Sequence, residues 1–179
     1  MIASRNAGFS LIEILVTIVI LMVGLLGLAG LQGRALTSQL ESYQRSQALI
    51  LLKDMANRIS ANRSNASLYV ATLGTDVTAC PAVGNAVATS DLCEWHNSLM
   101  GAAEVQSGGG NVGAMIGARG CVYETVVPAS GVPAQYLVAI AWQGMNRTAA
   151  PAVNCGVGSY GDDTLRRVVT LPISIADMN

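Results

Sequence analysis

From Ile14 to Leu31 the chain reads ILVTIVILMVGLLGLAGL, 18 residues without a charge. No other stretch limits the outcome as much. Rising 1.5 Å per residue as a helix, and extended upstream by Phe9 to Leu11, it covers about 30 Å, the thickness of a bilayer's hydrocarbon core. It also explains why hydrophobic residues make up 51% of the chain, since the remainder is ordinary in hydropathy and rich in Gly, Ala and Ser. At 179 residues the chain suits one globular domain rather than two. The net charge of −1 provides no basic field of the kind that attracts nucleic acid.

A secretory signal peptide also pairs a basic start with an apolar run, and Leu28-Ala29-Gly30 has the small residues of a cleavage site. The run is long for that purpose and carries Glu13 near its start. A plain transmembrane anchor accounts for the length but not for the acid. An ionised carboxylate in hydrocarbon costs on the order of 3 kcal/mol or more. Glu13 must therefore sit near the interface, be protonated, or be paired.

The run Gly8-Phe9-Ser10-Leu11-Ile12-Glu13 resembles the class III signal of type IV pilins and type II secretion pseudopilins. The resemblance implies a leader over residues 1–8, cut by a prepilin peptidase between Gly8 and Phe9. It also implies N-methylation of the new Phe9 amine and a mature chain whose fifth residue is Glu13. A cut ahead of the apolar segment keeps residues 9–34 as a transmembrane and assembly element. In a filament, Glu13 of one subunit then meets the Phe9 amine of a neighbour. One ion pair offsets two desolvation costs and favours one axial register, as a buried polar contact does in a coiled coil. Arg5 in the leader stays cytoplasmic by the positive-inside tendency, which leaves residues 35–179 as a periplasmic headgroup.

Gly24, Gly27, Gly30 and Gly33 recur along the span and suit either close helix packing in a membrane or local melting during assembly. Helical periodicity continues to about Asn62, giving a helix of about 80 Å from Phe9. Over residues 35–62 the pattern is amphipathic: Leu36, Leu40 and Tyr43, then Ala48, Leu52, Met55 and Ile59 form a stripe broken by one phase shift. Gln39, Gln44, Arg45, Lys53 and Asn57 fall on the outer face, and Glu41 is spaced to pair with Arg45. Residues 63–120 read as irregular, with a short helix in Leu92–Ala103 that puts Trp95 and Leu99 on one face and a turn at Gly108-Gly109-Gly110. Within residues 121–179, strands are predicted at Cys121–Val127, Gln135–Trp142 and Leu165–Leu171, the last ending at Pro172. Their short first connection makes them an antiparallel meander.

The four cysteines, Cys80, Cys93, Cys121 and Cys155, all follow the apolar segment. Their spacing does not match zinc patterns, even with His96 nearby, and an even count beyond a membrane segment suits disulfides. Sequence alone allows three connectivities. In the meander, Cys155 of the connecting loop comes within reach of Cys121, which favours Cys121–Cys155 and Cys80–Cys93.

The expected fold class is α+β, a type IV pilin fold in which a long N-terminal helix packs on a small antiparallel sheet with disulfide-bounded loops. Leu31-Gln32-Gly33-Arg34, Met55-Ala56-Asn57-Arg58-Ile59, Ala61-Asn62 and, more loosely, the Cys121 and Tyr136–Trp142 blocks look like PilV-type minor pilins. That resemblance implies a tip or priming complex for pilus assembly, adhesion and twitching motility. The implied partners are other minor pilins, the major pilin, the prepilin peptidase, the inner-membrane assembly platform and a large tip adhesin. The implied location is the bilayer before assembly and the extracellular pilus after it. A type II secretion pseudopilin, a DNA-uptake pilin and an unrelated single-span periplasmic protein are the alternatives.

Other chemistry is weaker. Gly108-x-Gly110-x-x-Gly113 and Gly156-x-Gly158-x-x-Gly161 fit a dinucleotide fingerprint by letter, but neither joins a parallel strand to a helix. Asp162 and Asp163 are two acids of a calcium loop without its other oxygen ligands. His96 lacks a nucleophilic partner set and is expected at the surface or half-buried. Arg147, Arg166 and Arg167 would touch DNA only if they formed one patch. The reading is of a protein without enzyme activity, metal, cofactor or nucleic-acid partner.

Overall fold

The computed structural model describes residues 8–74, 87–101, 107, 113, 115–129 and 132–176. The chain divides into two units, Met1–Leu40 and Glu41–Asn179. One helix, α1 (Leu11–Ala61), begins in the first and ends in the second.

In the first unit the apolar side chains of α1 are exposed throughout. A Cβ added at Gly24, Gly27, Gly30 or Gly33 would meet nothing within 4 Å. Nothing among the described residues therefore demands glycine there, and the segment is long and apolar enough to cross a membrane.

In the second unit α1 buries Gln44, Ala48, Leu52, Met55, Ala56 and Ile59. Steps of four and three carry this face from Gln44 to Ile59 with no phase shift. The sequence-based stripe is corrected here. Leu36, Leu40 and Tyr43 are 60%, 48% and 49% exposed, whereas Gln44, assigned to the outer face, is only 4% exposed. Helical geometry overrides side-chain polarity at Gln44, because it lies one turn before Ala48 on the face that meets the sheet. Glu41, a step of three earlier, pairs with Arg167 at 3.2 Å rather than with Arg45.

After α1 come a 3-10 turn (Arg63–Tyr69), strand β1 (Ala71–Leu73) and helix α2 (Val87–Leu99). Helix α2 starts five residues before the expected Leu92 and stops at Leu99. Trp95 and Leu99, expected on one face of this helix, are both buried, and the Trp95 indole donates to the Leu51 carbonyl at 2.9 Å. At the end of α1, Arg58 donates to Asp54, Asp91 and Glu94, and Tyr69 donates to Asp91, so charge also joins the two helices.

Strands β2 (Ile116–Val126), β3 (Ala134–Gln143) and β4 (Arg166–Ile175) complete an antiparallel sheet of order β1-β2-β3-β4. Strand β2 begins five residues earlier than predicted, because Gly117 and Gly120 weaken its strand signature. Gly120 is required by packing: a Cβ there would lie 2.3 Å from the Trp95 ring. Strand β4 runs through Pro172, which pairs with Leu137, instead of ending there. A proline is tolerated because β4 is an edge strand.

Alternation along the strands makes two faces. Val122, Tyr136, Val138, Ile140 and Trp142 join the helices in the main core. Cys121, Ala139 and Ala141 face the other way and are covered by Cys155 and Tyr160 from the β3–β4 connection.

Candidate assembly segment and the disulfide-bound loop

Gly8, Phe9 and Ser10 precede the helix, and Phe9 is 80% exposed. The Glu13 amide donates to the Ser10 hydroxyl at 3.3 Å and to the Ser10 carbonyl at 3.1 Å. Ser10 therefore caps α1, with Glu13 in its first turn. Ser-x-x-Glu ahead of an apolar run is a capping-box spacing, a local sequence signal for this helix start. A carboxylate in this position is favoured by the amide dipoles of the helix N-terminus. Phe9, Glu13, Ile14 and Thr17 line one shallow groove along this end of the helix. The first expected site residues thus share a helical face, one turn apart.

The second group of expected residues lies at the opposite sheet face. Cys121 and Cys155 form a disulfide across 34 residues of sequence, with Cα atoms 5.9 Å apart, and both are fully buried. Cys93, on α2, is also disulfide-bonded. The expected Cys80–Cys93 pair involves Cys80, which lies outside the described residues, as does most of the Gly108–Gly113 motif.

Arg166, at the start of β4, was overlooked as a structural residue, and it is 1% exposed. Its guanidinium grips the Asp163 carboxylate through Nε at 2.6 Å and Nη2 at 2.8 Å. It also donates to the carbonyls of Pro151 (2.8 Å), Val153 and Cys155 (3.1 Å). The Asp163 carboxyl is held below its ordinary range chiefly by the Arg166 hydrogen bonds. Asp162 is lowered too, first by the Thr164 amide and then by its hydroxyl, which donate at 2.9 and 2.8 Å. Both acids are thus committed within the loop, one as a cap and one as a counter-ion, and the calcium-loop reading loses its ligands.

Arg167 is occupied by Glu41, Thr148 and Thr164, and only Arg147 projects to solvent. The three arginines do not form a patch for DNA. Tyr160 closes the loop onto β2 by donating to the Gly117 carbonyl at 2.9 Å. Burial pushes its hydroxyl up to about 12, against the opposing pull of Arg119 and Arg166. Gly156 and Gly158 belong to this loop rather than to a nucleotide site. Gly156 has φ 70°, and a Cβ there would come within 2.9 Å of Ala141. His96 is buried on α2, which corrects the expectation of a surface or half-buried position.

An exposed apolar helix leading into a helix that packs on a four-stranded antiparallel sheet, with a disulfide-bound loop, is the architecture of type IV pilin subunits. Residues 30–97 match the Tt1218-like family model, described as type IV pilin Tt1218. Residues 3–29 match the prokaryotic N-terminal methylation motif. Over these two stretches the chain is similar to type IV pilins and carries the methylation motif. Members of that family are structural subunits, not enzymes, and assemble with other pilins after processing by prepilin peptidase. No curated protein and no solved structure matches the chain.

Proposed function

We propose that this chain is a minor pilin of a type IV pilus, made as a precursor and matured by cleavage between Gly8 and Phe9. Residues 1–8 form the leader, residues 9–34 the membrane and assembly half of the helix, and residues 35–179 the periplasmic headgroup. The observation that carries this reading is the lone Glu13 carboxylate, one turn from Phe9 on a stretch of helix that is exposed and otherwise free of charge as far as Gly33. In a bilayer or a filament core an ionised carboxylate is stabilised by a cationic partner, and the Phe9 amine released by cleavage on a neighbouring subunit provides one. The PilV-type features support a place in a priming complex with other minor pilins, on the assembly platform and near a tip adhesin. The engagement of Arg166 and Arg167 by acceptors within the fold favours this reading over DNA uptake.

N-terminal mass spectrometry of the membrane-extracted chain tests the maturation step. The expected start is methylated Phe9; an intact Met1, or a start near Gln32, overturns the reading. Glu13→Ala is expected to be cleaved normally yet to enter pili at least about tenfold less, a coupling of about 1.4 kcal/mol per subunit contact. Normal incorporation of this variant would refute the ion pair. Deletion is expected to reduce surface piliation while leaving type II secretion intact, and the reverse pattern would make the chain a pseudopilin.

A further inference from the structure

Arg166 has contacts that the assembly role does not explain. It is an almost fully buried cation whose donors all turn back onto the loop that precedes it. One of its acceptors is the carbonyl of Cys155 itself, and two others, on Pro151 and Val153, lie just before it. None of these bonds involves sulfur. The loop can therefore close on Arg166 while Cys121 and Cys155 are still thiols.

The sheet then fixes the other half of the geometry. Arg166 pairs with Gln143 across β3–β4, and Cys121 pairs with Ala139 across β2–β3. Ala139 and Ala141 lie beneath the loop with side chains small enough to let Cys155 approach the sheet. Once the strands are in register, the guanidinium holds Cys155 over β2, where Cys121 is waiting.

The geometry points to Arg166, oriented by Asp163, as the residue that selects which cysteines pair during oxidative folding. Four cysteines offer three connectivities, and the loop contains no other buried charge to hold it in place. In the selected step the Cys121 and Cys155 thiols form an Sγ–Sγ bond. They give up two protons and two electrons to a disulfide-carrying oxidant, which leaves as two thiols. Arg166 touches no reacting atom and acts only by positioning.

The test uses the full chain in detergent micelles, reduced and denatured, then refolded with glutathione disulfide as oxidant. Connectivity is read by proteolysis and mass spectrometry. Wild type is expected to form the Cys121–Cys155 pair almost exclusively. Arg166→Met is expected to fall toward about one third, the value for unguided pairing among three connectivities. Asp163→Ala, a change at a partly exposed site, is expected to lie between the two, and it decides the matter if Arg166→Met does not regain its strand signal. Val138→Ala weakens the opposite sheet face without touching the loop and serves as a control for lost stability. Mispairing in the Arg166 and Asp163 variants with normal pairing in Val138→Ala supports the assignment. Wild-type pairing in both loop variants, or equal mispairing in the control, overturns it.

Discussion

The two faces of the sheet solve the same problem with different materials. Toward α1 and α2, the strands present Val122, Tyr136, Val138, Ile140 and Trp142, which meet Leu52, Met55, Ile59, Trp95 and Leu99. Closure there comes from large apolar surfaces, each worth roughly 1.5–3 kcal/mol when fully buried. Toward the β3–β4 connection the strands present small residues, and the cover is a chain segment with little apolar surface of its own. That segment is held by one disulfide, one buried arginine and a tyrosine hydroxyl. The helix face should therefore respond to changes in volume, and the loop face to redox state and charge. A thin irregular segment cannot hold itself down by hydrophobic burial alone, because ordering it costs about 1–2 kcal/mol per residue in backbone entropy.

The largest effect is expected from Trp95→Ala on the helix face. It empties the space against Gly120 and removes the indole bond to Leu51, at a cost of about 3–5 kcal/mol in denaturant unfolding. The loss should be the same with and without reductant, and a redox-dependent loss would blur the distinction between the faces. A smaller effect is expected when Cys121 and Cys155 are both replaced by serine, about 2–4 kcal/mol. Hydrogen exchange should then accelerate in residues 144–165 while α1 near Leu52 stays protected. Uniform acceleration would mean that the two faces do not open separately.

The smallest effect at neutral pH, and one shared by both faces, is titration of the tyrosines. Burial is the main cause that pushes Tyr69, Tyr136 and Tyr160 up to about 12. For Tyr69 and Tyr136, hydrogen bonds to Asp91 and Glu124 add to it. In the unfolded chain a tyrosine ionises near pH 10, so above that pH the folded state binds more protons and stability falls as pH rises. The contribution should be intact below about pH 10 and lost by about pH 12. Tyrosinate absorbance from Tyr69, Tyr136 and Tyr160 should appear late and coincide with unfolding. Late ionisation without unfolding would show that the folded state tolerates the charges.

Which parts were legible follows from the same contrast. Ala48, Leu52, Met55 and Ile59 announce a helix face because apolar residues at helical spacing have few other uses, and the alternation of β3 announces a strand for the same reason. Gln44 was misplaced because polarity was weighed above position, although the turn that carries it is fixed by the residues after it. The start of β2 was hidden because Gly117 and Gly120 lower strand propensity, and the reason for Gly120 is the Trp95 ring, which is distant in sequence. Arg166 looked like half of an arginine pair on a surface. Nothing in its neighbourhood of sequence reveals that Pro151, Val153 and Cys155 supply its acceptors. At the N-terminus the reverse holds: the Gly8–Glu13 run is local, and nearly all of its meaning can be read in order.

Pro172 has a consequence for how copies of this chain meet. A ten-residue outer strand normally offers a ladder of amides and carbonyls on which another molecule can template itself. Pro172 removes a rung from that ladder near the middle, and the other border of the sheet, Ala71–Leu73, is three residues long. Crowded side by side, sheets built in this way lack a long unbroken margin for strand exchange. A chain with such borders is poorly suited to joining its copies through a shared fabric of backbone hydrogen bonds.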